Sequence, residues 1–320
     1  MTTTVATSTA HSIVEASPRS KAIASGLVIL YAVITILPLL WIVATAFKSQ
    51  SDAIAYPPKV IFEPTLEGYV NLFTVRTRQT PDFIAKLPPP ETWYDKLVRQ
   101  RDMVIAGPSK VVPRFVNSLI IGFGSTFLAV FLGTLAAYAF SRFRIPLADD
   151  LLFFILSTRM MPPVAVAIPI YLMYRQLNLT DTKLGMILLY TAVNVSLAVW
   201  LLKGFIDEIP REYEEAAMTD GYSRLEAIWK IVLPEALPAM LATAVFVLIT
   251  AWNEFVFVQL LNPSRATTVP PFLYAIIGYG QIEWGRMAAT SVVFLLPVVI
   301  FTFLVRNHLL RGVTFGAVRR

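Results

Sequence analysis

The chain has 320 residues, of which 56% are hydrophobic and only 15% are charged, whereas soluble domains average about 45–50% apolar and about 25% charged residues. This composition excludes a water-soluble globular protein and, with 21 Phe and 6 Trp, a disordered one. The formal net charge is +6, but the basic residues are scattered between long uncharged runs, which indicates membrane orientation rather than nucleic-acid binding. Because the chain has no cysteine, disulfides, a thiolate nucleophile and a cysteine-ligated zinc site are excluded.

Six apolar segments are long enough to cross a membrane as helices, because about 20 helical residues span about 30 Å of hydrocarbon. Five of them carry no charge. The third carries Arg159 and the pair Pro162-Pro163, which favours a break or a kink. In chain order the segments are 22–47, 115–141, 151–174, 184–202, 236–253 and 287–305. The sequence therefore predicts an all-α membrane protein with six transmembrane helices.

The basic residues also predict the orientation of these helices. If the amino terminus is cytoplasmic, the inside segments hold twelve Lys and Arg residues and the short outside loops hold four. Since loops rich in Lys and Arg stay inside, both termini are predicted to be cytoplasmic. Residues 1–20, rich in Thr, Ser and Ala, are expected to be disordered, and residues 306–320 are expected to form a cytoplasmic tail.

The segment 48–114 is the least membrane-like part of the chain and is predicted to be a large extracytoplasmic loop after the first helix. It holds ten basic residues, but loops longer than about 60 residues cross largely regardless of charge. One proline pair, one proline triplet and several single prolines interrupt it. Two structures remain open for this segment: an extended connector, and a small folded cap that touches an outside partner.

The predicted cytoplasmic segment 203–235 has more structure than a plain connector. Pro210 suits the first turn of a helix, and the run 211–220, rich in Glu and Ala, favours the helix itself. Gly221 lies where a helix end requires a positive φ. Ser223 and Glu226 then form a predicted capping box that begins a second helix.

That second helix is predicted to be amphipathic, with Pro234 ending it before the next span. Its apolar residues follow the spacing i, i+3, i+4 and i+7, at Leu225, Ile228, Trp229 and Val232. The small residues Ala216 and Ala217 before the turn allow a partner to approach closely. Helix, glycine turn and helix together have the shape of a docking element.

This segment resembles a known family at seven fixed positions, Glu215, Ala216, Ala217, Gly221, Ile231, Leu233 and Pro234. They fit the EAA motif of the membrane permease subunits of bacterial ATP-binding-cassette (ABC) importers. The runs 136–143, 159–163 and 251–255 further resemble the MalG-like permeases of the carbohydrate importer branch. The loop 48–114 is longer than that branch leads one to expect.

The resemblance implies the type I ABC importer permease fold, with 115–305 as the transmembrane domain, in the bacterial cytoplasmic (inner) membrane. It implies a transporter subunit rather than an enzyme, with a second MalF-like permease, an ABC ATPase dimer, an extracytoplasmic solute-binding protein and membrane lipid as partners. No nucleic acid is expected. ATP and magnesium would be bound by the ATPase and no cofactor by this chain, in agreement with the absence of a G-x-x-x-x-G-K-[ST] phosphate loop.

By the same resemblance, the segment 203–235 couples the permease to the ATPase. The residues implied in this contact are Glu215, Ala216, Ala217, Met218, Gly221, Ile231, Leu233 and Pro234.

Polar residues within the spans are candidates for the solute pathway, because such residues are rare in membranes and often line a route. Glu254, beside Trp252 and Asn253, could hydrogen-bond and stack on a sugar. The alternatives for Glu254 are a structural hydrogen bond and a place in a gate. Asn194 in the fourth span could contact solute or join helices.

Three further functions remain as alternatives. The first is an importer of a non-sugar solute. An anionic solute would require basic residues, and Arg159 is the only basic residue predicted within a span. An autonomous channel or secondary carrier would show inverted repeats with broken helices, which are not detected. A membrane enzyme lacks a catalytic motif such as H-E-x-x-H.

Overall fold

The computed structural model describes residues 18–277 and 282–315, with side chains described up to residue 307. Helix α1, Pro18–Ala46, begins within the segment that was expected to be disordered, so residues 18–20 are helical and that expectation is wrong for them. Residues 1–17 and 316–320, which belong to the predicted disordered terminus and tail, lie outside the described residues.

Helix α1 packs against the rest of the chain only at its end. Thr45 and Ala46 in its last turn are buried, and its other residues are not. Its exposed side chains are large and apolar along most of its length. A helix of this kind is stable only when lipid or another chain covers it.

The segment 48–114 is a small folded unit rather than an extended connector. It contains four short helices and two strands, α2 Gln50–Ala53, α3 Glu67–Phe73, β1 Thr74–Arg78, α4 Pro81–Ala85, α5 Trp93–Arg99 and β2 Met103–Pro108. The strands pair antiparallel, with an irregularity between Val75 and Arg76. Several helix starts follow local rules, since Pro81 opens α4 and Thr92 accepts a hydrogen bond from the Asp95 N–H at the start of α5.

The remaining helices follow this unit in the chain and include the other long apolar helices. They are α6 Val111–Arg142, α7 Ala148–Ser157, α8 Pro163–Gln176, α9 Lys183–Glu208, α10 Arg211–Thr219, α11 Arg224–Ala227, α12 Leu233–Trp252, α13 Val256–Leu261, α14 Val269–Ile277 and α15 Trp284–Phe315. Helix α15 thus extends through residues 306–315 of the predicted tail. By length and composition, five helical stretches of the described chain could cross a membrane, and up to six if the bent pair α7–α8 forms one span.

The centre of the molecule is the packed group α6, α9 and α12. Small residues allow close contact, because a Cβ added to Gly133 of α6 would lie 2.5 Å from the Cβ of Ala198 in α9. The buried cluster at the α10 end of this group includes Ala137, Leu202, Val232 and Ala236.

The third predicted span is broken. Helix α7 continues into a 3-10 turn, Thr158–Met160, and α8 then leaves at an angle of 94°. The break falls at the Pro162-Pro163 pair, as the sequence predicts, because a residue before proline disfavours the α conformation and proline cannot donate to the helix.

The predicted end of a helix at Pro234 is wrong. A π turn, Ile228–Val232, joins α11 to α12, so the helix runs without interruption from Arg224 to Trp252. In this turn the Leu233 N–H bonds to the Ile228 carbonyl, five residues back. The wider turn accommodates Pro234, whose ring would otherwise clash with the carbonyl four residues earlier.

The folded unit 48–114 is fixed to the helices where α1, α3 and α15 meet. A Cβ added to Gly68 would lie 2.6 Å from the Gly285 carbonyl oxygen and 2.7 Å from that of Ala46. Only glycine therefore permits this approach. The buried cluster around this contact joins residues of five elements or their ends: Ala46, Leu72, Val111, Phe272, Ala288 and Ala289.

Candidate functional site

Helix α10 is held against the end of α6 by a buried carboxylate, Glu214. The Tyr138 hydroxyl donates to Glu214 Oε2 at 2.7 Å, and Arg142 Nε donates to Glu214 Oε1 at 2.5 Å. The side chains of Arg142 and Glu214 are only 5% and 6% exposed. Since a buried charge is tolerated only when it is paired and hydrogen-bonded, these three residues fix α10 in one position relative to α6.

Further contacts brace the same joint. Arg142 Nη2 donates to the Ile209 carbonyl at 2.9 Å, and Arg211 Nη2 donates to the Ser141 carbonyl at 2.7 Å. The first turn of α10 and the chain just before it are thus tied to the last turn of α6. A displacement of α10 along the surface would have to move α6 with it or break this buried group of bonds.

Another face of α10 is exposed in the described part of the chain. Glu215 and Ala216 are exposed, Met218 is half-buried and Ala217 is buried beside Glu214. Successive residues of a helix point about 100° apart, so Glu214 and Glu215 serve different surfaces. We name the exposed set Glu215, Ala216, Thr219, Asp220 and Gly221 the α10 outer face.

The turn after α10 follows the sequence prediction. Gly221 has φ of +96°, and the Tyr222 N–H reaches back to the Ala217 carbonyl at 3.1 Å, as in a glycine-terminated helix. Ser223 and Glu226 form the predicted capping box of α11. Pro210, however, precedes the first turn of α10 instead of lying in it.

The predicted apolar stripe of the second helix is not buried as a stripe. Leu225 and Trp229 are 64% and 57% exposed, whereas Ala227 and Val232 are buried. Because the helix continues into α12, its buried face is set by the packing of α12 against α6 and α9. Ile231 and Leu233 of the motif are half-buried and Pro234 is exposed.

Glu254, one of the predicted pathway residues, forms structural hydrogen bonds, and its contact with a solute stays a prediction. Its carboxylate accepts the Phe257 N–H at 2.9 Å, the Val258 N–H at 3.3 Å and the Tyr190 hydroxyl at 2.6 Å. Glu254 thereby satisfies the free N–H groups that begin α13 and joins them to α9.

Trp252 is buried against α15. It is 4% exposed, its Nε1 donates to the Phe294 carbonyl at 3.0 Å, and its ring stacks on Phe294 with centroids 4.8 Å apart. Asn253 is exposed and donates to the Ile249 carbonyl. The three neighbours thus differ in their surroundings, and their contact with a solute stays a prediction.

Asn194 lies at the junction of three elements. Its Oδ1 accepts the Thr250 hydroxyl at 2.6 Å and Arg159 Nη1 at 3.4 Å, and its Nδ2 donates to the Tyr190 carbonyl at 2.9 Å. The contact with Arg159 links the break in the third span to α9 and α12. The helix-joining alternative for Asn194 is thus present, and its contact with solute stays a prediction.

Several residues in the contacts of Glu214, Glu254 and Asn194 were not singled out from the sequence. They are Tyr138, Arg142, Glu214, Tyr190 and Thr250. For Glu214 the sequence held one indication of a buried ion pair. Glu214 lies three residues before Ala217, on the side of α10 that is buried in the structure. An acidic side chain on a buried side of a helix requires a cationic partner. Nothing in the sequence identifies which cation that is.

Comparison with known proteins gives consistent matches. The family model described as "Binding-protein-dependent transport system inner membrane component" matches residues 113–314. The chain is 32% identical over 288 residues to the "Probable ABC transporter permease protein y4oR" of Sinorhizobium fredii, covering 90% of this chain and 92% of that protein. It is 29% identical over 293 residues to the "Trehalose/maltose transport system permease protein MalG" of Thermococcus litoralis, covering 91% and 94%.

A solved structure shares the fold. It is a chain of a bacterial ABC transporter involved in the import of the acidic polysaccharide alginate, which superimposes with a TM-score of 0.61 at 19% identity. The match covers 92% of this chain and 99% of that one, so it includes residues beyond the region of the family model.

Proposed function

The chain belongs to the family of binding-protein-dependent transport system inner membrane components, and from this premise we propose that it forms half of the translocation pathway of an ATP-driven carbohydrate importer. It is a permease subunit with the type I importer fold, and it is not the catalytic subunit of its transporter. ATP hydrolysis is assigned to a separate ATPase dimer, which would bind ATP and magnesium.

The observation that carries the coupling role is the arrangement of α10. One face offers Glu215 and two small residues, Ala216 and Gly221, to a partner, while the other is tied to α6 by Glu214 and Arg142. A partner that moves the α10 outer face therefore moves α6 with it. The ATPase dimer is the proposed partner, and its closure on ATP is the proposed driving motion.

The proposed solute is a sugar, an oligosaccharide or a polyol. Support comes from the trehalose/maltose permease, which matches over nearly its whole length. A non-sugar solute is the alternative, and the exposed Asn253 and the partly exposed Arg159 are proposed as groups that a solute could meet.

The charge distribution supports a cytoplasmic position for both termini and for α10. The folded unit 48–114 is then extracytoplasmic, where it would meet a solute-binding protein. The apolar surface of α1 is proposed to contact lipid and a second permease subunit, because it has almost no packing within this chain.

The coupling proposal is tested by uptake measurements on Glu215→Gln and Gly221→Ala in proteoliposomes that contain the whole transporter. We expect both variants to lose uptake, with ATP hydrolysis uncoupled or the ATPase detached, while the protein remains in the membrane. Glu91→Gln, which removes an exposed carboxylate of the unit 48–114, serves as the control and should transport normally. Unchanged uptake by both α10 variants would contradict the proposal.

The solute class is tested with the same proteoliposomes supplied with the cognate solute-binding protein. Labelled sugars and labelled amino acids are offered separately. Uptake of sugars alone supports the carbohydrate assignment, and uptake of an amino acid alone supports the alternative. Uptake by this chain without an ATPase would indicate an autonomous carrier.

A further inference from the structure

A cavity of about 390 Å³ lies where strand β1 meets the start of α15. It is far in sequence from the coupling surface and includes none of the residues predicted for the solute pathway. Three arginines, Arg76, Arg78 and Arg286, and a single carboxylate, Glu283, are among the described residues that line it. The charged groups of its described lining therefore leave an excess of two positive charges.

The one carboxylate is shared by two of these arginines. Arg76 Nη2 donates to both oxygens of Glu283, at 2.7 and 2.9 Å, and Arg286 Nη1 donates to Glu283 Oε2 at 3.2 Å. Arg78 forms no ion pair with any described residue. Glu283 can neutralise one cation, so the arrangement holds like charges close together with too little compensation.

Two of the arginines that line the cavity each have a buried N–H without an acceptor among the described residues. The Nε atoms of Arg76 and Arg286 are buried and have no hydrogen-bond partner among the described residues. The Arg76 side chain is only 8% exposed. A buried guanidinium N–H without an acceptor is unfavourable by roughly 1–3 kcal/mol, so these two arginines are not fully satisfied by the described residues.

A further cation adds to the positive potential. The guanidinium carbons of Arg114 and Arg286 lie 4.8 and 5.4 Å from the centroid of the same ring, Phe272. The shared ring brings Arg114 close to Arg286, which lines the cavity. The surroundings therefore favour an anion more strongly than the lining alone.

We propose that this cavity binds a small oxyanion, such as a free phosphate or the carboxylate of an acidic monosaccharide. The planar guanidinium groups of arginine match such anions with paired N–H donors. A volume of about 390 Å³ is sufficient for a ligand the size of a hexuronic acid. This site is independent of the solute proposed above, because it lies in the junction of the unit 48–114 and is tested by direct binding.

The test is isothermal titration calorimetry on the assembled transporter in lipid nanodiscs, in a Tris chloride buffer of low ionic strength. Inorganic phosphate and galacturonate are the probes, and glucose is the uncharged control. We expect both anions to bind with an affinity that falls as sodium chloride is added, and glucose not to bind at this site. Absence of binding by both anions would overturn the proposal.

Variants assign the binding to the cavity. Arg78→Gln and Arg286→Gln should each weaken binding of the anions about tenfold or more, whereas Lys86→Gln, which removes an exposed cation elsewhere in the same unit, should leave it unchanged. Because Arg78 is exposed and unpaired within the described chain, its variant should fold normally. Wild-type affinity in both arginine variants would overturn the assignment.

Glu283→Gln separates a binding site from a purely structural ion cluster. In a binding site Glu283 competes with the ligand for Arg76 and Arg286, so its neutralisation should strengthen anion binding by several fold. In a structural cluster the same change would only reduce thermal stability. Unchanged or weaker anion binding in a folded Glu283→Gln transporter would count against the proposal.

Discussion

Neighbouring residues on one helix serve different purposes in this protein, as Glu214 and Glu215 show. Glu214 lies in a buried joint with Tyr138 and Arg142, whereas Glu215 belongs to the exposed α10 outer face. Both are glutamates in a run that favours a helix, so helix propensity does not distinguish them. Only the packing of α10 on α6 separates the anchor from the contact residue.

Breaking the joint should therefore destabilise the protein in a way that changing Glu215 does not. Glu214→Gln leaves the buried charge of Arg142 without its counterion, and we expect a loss of about 3–5 kcal/mol. Glu215→Gln should leave stability within about 0.5 kcal/mol, because the side chain is exposed. Thermal unfolding of the purified transporter in detergent measures both.

A double variant checks that the loss comes from an unpaired charge. Glu214→Gln combined with Arg142→Met removes both charges, and it should be more stable than the sum of the two single effects predicts. Additive losses would show that the two residues do not act as a pair.

At the scale of elements, contacts between helices override the rules that govern isolated helices. Pro234 would end an isolated helix. Here a π turn accommodates it, and α11 and α12 form one continuous helix. At Pro162-Pro163 no such turn forms and the chain bends by 94°. The two sites differ in the number of prolines. A single proline removes one hydrogen-bond donor of the helix, whereas the pair removes two consecutive donors.

The meeting point of α1, α3 and α15 gives a prediction for element packing. Gly68→Ala places a Cβ within 2.7 Å of two backbone carbonyl oxygens, so one of these elements must shift, and we expect a loss of about 1–3 kcal/mol. Gly204→Ala in α9 is the matched control, because a Cβ there has nothing within 4 Å. Thermal unfolding compares the two, and equal stability of both variants would contradict this packing.

The whole molecule has the architecture of one subunit within a larger assembly. The central group α6, α9 and α12 is well packed, but α1 leaves nearly its whole apolar length uncovered. The unit 48–114 adds a folded body next to the membrane part, fixed at Gly68 and through the ion pair of Arg76 with Glu283. Lipid and partner chains are the proposed cover for the exposed apolar surface.

The orientation of the assembly can be measured directly, because the chain has no cysteine of its own. Thr77→Cys in β1 and Thr219→Cys in α10 are both exposed positions. A membrane-impermeant maleimide added to intact cells should label Cys at 77 and not at 219, and inverted vesicles should give the reverse. The unmodified chain is the control, and labelling of the position 219 variant in intact cells would contradict a cytoplasmic α10.

The sequence by itself determined the apolar spans, the helix and glycine turn at 211–221, the capping box at Ser223 and the break at Pro162-Pro163, because each depends on composition or on residues a few positions apart. It also placed the chain in its family through the spacing from Glu215 to Pro234, which the family model confirms over residues 113–314.

Only the tertiary structure decided that residues 48–114 fold. It also decided that Glu214 contacts Tyr138 and Arg142, which lie more than 70 residues away. The packing of Trp252 on Phe294 and the position of Arg76 and Arg286 around Glu283 were decided in the same way. These contacts join distant parts of the chain. Their partners are fixed by how whole helices pack, which the local sequence pattern does not encode.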